Sequence, residues 1–282
     1  MRFAAAVFLA LFASSGALAG EGDHHIAATI TGEATWEGTI TLTGTTVVKK
    51  GATLTILPGT VVRFVRTDAD GDGIGDGELV VEGKILARGT KQAPIRFTSA
   101  EAKPAPKDWT FVIIETSRGS ELSRCVFEYA FTGVQIHYSA DIAIRDCLFV
   151  NNLEGLRFST TEVTIEQNDF IGNDTGIRYE SHGSRATVAG NRFRENGTSF
   201  WVVQRSTSTA RIIGNDIEGS RRYSVNVGFN QRADLDYSGN WWGTADPGEI
   251  AETIFDKEDD PLLGRILFSP HLTEPPRGAG IR

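Results

Sequence analysis

The feature that most constrains this chain is a repeat slightly longer than twenty residues. Six short segments share one phase: Cys125-Val126-Phe127, Cys147-Leu148-Phe149, Asn168-Asp169-Phe170, Asn191-Arg192-Phe193, Asn215-Asp216-Ile217 and Asn240-Trp241-Trp242. Their starts are 22, 21, 23, 24 and 25 residues apart. An apolar residue precedes each, as Leu122, Ile144, Ile165, Val188, Ile212 and Tyr237, and a small-apolar pair follows the first five, as Gly133-Val134, Gly155-Leu156, Gly176-Ile177, Ser199-Phe200 and Ser224-Val225. Each repeat therefore holds three short strands with alternating side chains, and the turns between them absorb the drift in length. One such coil cannot bury its inward residues alone. Stacked coils form parallel sheets around a continuous core. A β-sandwich also spaces strands regularly, but it does not require the same residue types at one phase through six repeats.

Stacking makes columns out of residues that are distant in sequence. Equivalent positions sit one strand spacing apart, roughly 4.8 Å, so phenylalanine is expected on phenylalanine. Asn168, Asn191, Asn215 and Asn240 are expected to form an amide ladder at one bend, because asparagine bonds neighbouring backbone and tolerates left-handed geometry. The earlier half follows the plan less regularly, with short alternating strands broken by Gly and Pro turns. The expected division is coils over 51–239, an N-terminal tail and cap over 20–50, a C-terminal cap over 240–273 and a loose Pro- and Gly-rich tail over 274–282. In the C-terminal cap, Trp241 and Trp242 are read as plugs for the last coil rather than as a sugar platform.

Particular segments carry a resemblance. Gly51-Ala52-Thr53-Leu54-Thr55-Ile56 with Pro58-Gly59-Thr60, Ala87-Arg88-Gly89-Thr90 with Pro94-Ile95-Arg96-Phe97-Thr98-Ser99, the Asn-x-Phe coils and Asn240-Trp241-Trp242-Gly243 resemble the pectin-lyase-like superfamily. The chain is most similar to its uncharacterised exported bacterial members. The resemblance implies an all-β, single-chain right-handed parallel β-helix with capped ends. It implies little about activity, since that superfamily mixes lyases, hydrolases, epimerases and adhesins.

The start of the chain reads as an export signal. Arg2 is followed by an apolar run from Phe3 to Phe12 and by Ala17-Leu18-Ala19, a small-residue cleavage pattern that places a signal peptide over 1–19. The run is too short to span a bilayer, and no later segment is apolar for long enough to be transmembrane. A secreted, periplasmic or extracellular protein is expected. The net charge of −8 argues against nucleic acid, whose binding depends on clustered positive charge.

Thr67 to Glu78 is an acidic turn with carboxylates at Asp68, Asp70, Asp72, Asp76 and Glu78 and glycines at 71, 73, 75 and 77. Calcium takes six to eight oxygen ligands, and acids at alternate positions wrap them around one centre. Asp68, Asp70, Asp72 and Asp76, with the Ile74 carbonyl and Glu78, are the expected ligands. Leu79 stands where a helix-flanked loop would place its bidentate Glu, so this is an Asp-rich turn inserted between coils, expected to order on binding the ion.

Cys125 and Cys147 occupy equivalent positions in neighbouring coils, where they either form a disulfide or fill a core column as thiols. Beyond the small-apolar pairs, the next outward residues are Gln135, Arg157, Arg178, Trp201 and Asn226, and two positions further on are His137, Ser159, Glu180 and Val203. Arg157 above Arg178 invites an anion, and Trp201 a sugar face. Gln135, His137, Arg157, Arg178, Glu180 and Trp201 are thus the candidate ligand-binding residues, with polysaccharide or cell-surface glycan as partner. The same column also reads as solvated sheet with Glu180 pairing an arginine. No catalytic set is evident: there is no Gly-x-Ser-x-Gly elbow, phosphate loop or dinucleotide fingerprint. The expectation is a non-catalytic scaffold or carbohydrate-binding protein, against a lyase or glycoside hydrolase acting on acidic glycan and against a cell-surface structural or adhesion component.

Overall fold

A computed structural model describes residues 23–207 and 209–282; the segment read as a signal peptide lies outside the described residues. The chain winds through three parallel sheets in constant order. The first holds nine strands, among them Cys125–Glu128, Leu148–Val150, Asp169–Ile171 and Arg192–Arg194. The second holds ten, including Trp109–Glu115, Ala130–His137, Glu154–Ser159, Thr175–Glu180, Thr198–Val202 and Tyr223–Val227. The third holds eight, from Glu33–Trp36 to Ala210–Ile213. Strands three apart in sequence are neighbours in space, which is the solenoid that the repeat requires.

The columns form as the period dictates. Leu122, Ile144, Ile165, Val188 and Ile212 pair in register across the third sheet. In the first sheet the rings of Phe97, Phe127, Phe149, Phe170 and Phe193 stack near parallel, with centroids 4.7, 5.0, 4.7 and 4.9 Å apart. The small residue before each apolar partner in the second sheet lets that stack approach. A Cβ on Gly155 would lie 2.7 Å from the Gly176 carbonyl oxygen and 2.9 Å from a Phe170 ring carbon.

The bends carry amide ladders. The Oδ1 of Asn191 accepts from the backbone N–H and the Nδ2 of Asn168, at 3.0 and 2.9 Å, and Asn215 and Asn240 repeat the pattern one and two coils on. A second ladder at the next bend, through Asn152, Asn173 and Asn196, escaped the sequence reading. Its spacing of 21 and 23 residues equals the steps from Cys147 to Asn168 and from Asn168 to Asn191 at the first bend, a signal the sequence carries. Each rung satisfies a buried backbone donor that a bend would otherwise leave unpaired.

Two sequence expectations need correction. The segment over 20–50, expected as tail and cap, already holds coils: Glu33–Trp36, Thr39–Leu42 and Thr45–Val48 are coil strands, paired in register with Thr53–Ile56, Val61–Phe64 and Glu78–Val81. Ile40, Leu42 and Val48 are fully buried there, so alternation had already started where a cap was expected. The tail over 274–282 is not loose. Its backbone crosses the first bend, where the Gly280 N–H donates to Gly190 O at 2.9 Å and the Arg282 N–H to Asp146 Oδ1 at 3.2 Å.

Of the two alternatives for the cysteines, the structure takes the second: both are buried free thiols. Parallel in-register strands hold equivalent Cβ atoms a strand spacing apart, roughly 4.8 Å, beyond the ~3.8 Å typical of a disulfide. Burial, and then Cys147 beside it, push the Cys125 thiol well above its ordinary value. The folded protein is expected to resist a thiol reagent and to release two thiols in denaturant. A native mass two hydrogens lighter, with no titratable thiol, would restore the bond.

At the far end, a short helix, Pro247–Glu252, leads into Ile254–Phe255, the last strand of the second sheet. Asp246 caps that helix by accepting from the Gly248 and Glu249 N–H groups. Trp241 and Trp242 are both buried, and the Trp242 ring lies 6.2 Å from those of Tyr237 and Phe268. The tryptophans close the core instead of facing solvent.

Candidate functional site

The outward face of the second sheet collects the candidate ligand-binding residues. Register places Gln135, Arg157, Arg178, Trp201 and Asn226 in one column. The two arginines do not simply repel. Glu154, three residues before Arg157 and only 3% exposed, takes both: Arg157 donates Nε and Nη2 to its two oxygens at 2.8 Å, and Arg178 donates Nη1 at 3.0 Å. Thr132 adds a hydroxyl at 3.1 Å. A fork–fork pair of this kind fixes direction as well as charge. Sequence reasoning missed this role of Glu154, because two positions before inward Leu156 it carries the parity of a core residue, and yet its carboxylate meets the two arginines.

The column continues into an aromatic surface. The Arg178 guanidinium lies 4.7 Å from the centre of the Trp201 ring, which is 37% exposed, and Arg157 sits over Phe131 at 5.8 Å. Arg178 therefore stiffens an indole that still offers its outer face. Two positions along, Glu180 is paired with Arg205 at 2.7 Å and not with an arginine of the column. His137 Nδ1 lies 2.8 Å from Ser159 Oγ. Burial, then Arg157, lower the proton affinity of His137, while Glu115 and Glu180 oppose that shift. Val203 lies just past the end of its strand, Thr198–Val202.

The acidic turn sits between strands Val61–Phe64 and Glu78–Val81. Its neck is closed by the Asp76 N–H donating to Thr67 O at 2.7 Å, and the Gly75 N–H anchors it to Lys107 O at 2.8 Å. Inside, Asp70, Asp72 and Asp68 accept from the N–H groups of Asp72, Ile74 and Gly73 at 3.2, 2.8 and 3.1 Å. One oxygen of each comes within 4.8 Å of the others. Asp76 and Glu78 do not join this group. Asp76 turns to the Ala69 N–H at 2.9 Å, and Glu78, already on its strand, accepts from Thr45 Oγ1 at 2.9 Å. Of the expected ligand residues, Asp68, Asp70 and Asp72 are the three whose carboxylates converge. An all-oxygen, triply acidic set fits a hard divalent cation, and the Arg66 guanidinium, 3.9 Å from Asp68, offsets part of the charge. Those hydrogen bonds give the turn its shape.

Two family models match the chain. Residues 105–240 match one described as a right-handed β-helix region, and residues 28–120 match one described as a pectate-lyase-like β-helix domain. No curated protein and no solved structure matches. No helix among the described residues is long and apolar enough to cross a membrane. With three parallel sheets and stacked columns beneath matches that together run from residue 28 to residue 240, the chain is a right-handed parallel β-helix repeat protein, similar over residues 28–120 to a pectate-lyase-like β-helix domain.

Proposed function

We propose that this is an exported, calcium-stabilised β-helix that holds acidic glycan on the face of its second sheet without cleaving the chain. The observation that carries the reading is the Glu154–Arg157–Arg178–Trp201 assembly. Two guanidinium groups on one carboxylate leave a net positive charge beside a half-open indole. A uronate residue has the matching pair of features, an apolar ring face for the indole and a carboxylate for a spare guanidinium N–H. The same assembly disfavours lyase chemistry at these arginines. Both guanidinium groups are engaged as hydrogen-bond donors to the buried Glu154 carboxylate, and a guanidinium offers donors but no acceptor.

Calcium in the Asp68–Asp70–Asp72 turn acts on stability in this reading. The strand following that turn is three strands away from Glu154–Ser159 in the second sheet, roughly 14 Å along the axis, too far to bridge a bound carboxylate. Export rests on the basic start, the short apolar run and Ala17-Leu18-Ala19.

The test is binding to polygalacturonate, alginate and neutral dextran, each with calcium and with chelator. Retention of the acidic polymers is expected, without unsaturated or shortened products. Trp201→Ala and Arg178→Gln are expected to weaken binding at least tenfold while unfolding like the parent, about 1.4 kcal/mol of affinity. Calcium at a hundred times its dissociation constant adds about 2.7 kcal/mol of stability, an increment lost in Asp70→Asn/Asp72→Asn. Equal melting in calcium and chelator removes the ion from the account, and unchanged binding in Trp201→Ala removes the platform.

A further inference from the structure

The edge of the same sheet carries chemistry that glycan holding does not use. Strands Trp109–Glu115, Ala130–His137, Glu154–Ser159 and Thr175–Glu180 end in step, and their register pairs Glu115 with His137, His137 with Ser159 and Ser159 with Glu180. Acid, imidazole, hydroxyl and acid therefore stand in one outward column, each a strand spacing from the next. Within it, His137 Nδ1 and Ser159 Oγ are 2.8 Å apart, the separation of a nucleophile from its base. The other ring nitrogen, Nε2, is buried and makes no hydrogen bond, and Glu115 is the column neighbour of His137 on the side away from Ser159. No local string announces this pair, because its members are 22 residues apart.

The residues that follow the pair line a space. Tyr138, Ser139, Thr160, Thr161, Gly183 and Arg185 border an open groove of roughly 630 Å³ along the turn. Tyr138 has φ 47° and Thr160 φ 47°, and Gly183, in the next coil's turn, has φ 71°. Aromatic and β-branched side chains in left-handed backbone cost on the order of 1 kcal/mol or more each. Tyr138 is nevertheless 64% exposed, and the ring contact it makes is with His137, 6.2 Å between centres. Tyr138 thus presents its ring over the groove instead of burying it.

We propose that Ser159 is the nucleophile and His137 the base of an ester-hydrolase site, acting on small O-acyl esters carried by sugars. Ser159 Oγ attacks the ester carbonyl carbon as its proton passes to His137 Nδ1. The tetrahedral intermediate collapses with cleavage of the bond to the sugar oxygen, which takes the proton back from His137. Water, deprotonated by the same imidazole, then attacks the acyl-serine, and the free acid and Ser159 are released. Gln135 and Arg157, two residues earlier on the same strands and on the same face, are the nearby side-chain donors for the oxyanion. The lowered proton affinity of His137, set by burial and Arg157 against Glu115 and Glu180, keeps the imidazole free to accept that proton at neutral pH. The sugar as carrier of the ester rests on the glycan-holding reading; the dyad chemistry does not.

A fluorophosphonate probe tests the dyad on the intact protein, since it reacts with an activated serine and needs no glycan. One equivalent of label is expected on Ser159 by peptide mapping, none in Ser159→Ala, and labelling at least a hundredfold slower in His137→Gln. Acetate release from acetylated pectin is expected to follow the same order, with the thermal unfolding of Ser159→Ala matching that of the parent. An unlabelled Ser159, or a labelling rate unchanged in His137→Gln, overturns the proposal. Labelled Ser159 with unchanged glycan binding in Trp201→Ala would sink the platform and leave the dyad. Binding lost in Trp201→Ala with Ser159 unlabelled would do the reverse.

Discussion

Phe170→Ala is expected to cost about 3–5 kcal/mol of stability, one of the two largest single-residue effects in this molecule. The ring is fully buried and lies between Phe149 at 4.7 Å and Phe193 at 4.9 Å. Its removal opens a cavity in the middle of a column, where rigid neighbouring coils on both sides limit collapse. Phe170→Leu restores most of the volume and is expected to cost about 1.5 kcal/mol or less plus the stacking contribution, itself about 0.5–1.5 kcal/mol for each lost ring pair. Denaturant unfolding of both variants separates cavity from stacking. A Phe170→Ala protein that unfolds within 1 kcal/mol of the parent, by the same criterion, would mean that the stack contributes little.

Asn191→Ala is expected to cost about 4 kcal/mol for a different reason. The Asn191 side chain accepts from the Asn168 N–H and Nδ2 and donates to Ile165 O and to Asn215 Oδ1, all within 2.9–3.0 Å. Truncation orphans the Asn168 N–H and the Ile165 carbonyl inside the bend, at about 1–3 kcal/mol each. Asn226→Ala, on the outward face, is the control and should shift stability by no more than about 0.5 kcal/mol. If the two variants unfold alike, water reaches the bend and the ladder is ornamental to stability.

The two effects bear on what could be read in advance. The Phe column and the first Asn ladder were legible because each repeats one residue type at one phase, and the period alone then determines which residues touch. The second ladder was equally legible, with Phe149, Phe170 and Phe193 three residues before its asparagines, but was passed over. The N-terminal coil was misread because its strands, such as Thr39–Leu42, lack the Asn-x-Phe mark that identifies the later ones. The tail over 274–282 was misread because composition reports how freely a segment bends, and not whether a neighbouring bend offers it hydrogen bonds.

The site divides along the same line. The outward columns of Gln135, Arg157, Arg178 and Trp201 and of His137, Ser159 and Glu180 followed from counting, because side chains alternate and coils stack. Which of their polar atoms meet did not. Glu154 took both arginines despite the parity of a core position, Glu180 turned to Arg205, and Asp76 and Glu78 left the acidic cluster for other donors. Linear order thus sufficed for the solenoid, its period and the membership of each face, since these depend on periodicity, which a sequence carries in full. The three-dimensional structure alone decided the pairings, because a hydrogen bond depends on fractions of an ångström that turns and bulges set, and no spacing rule contains them.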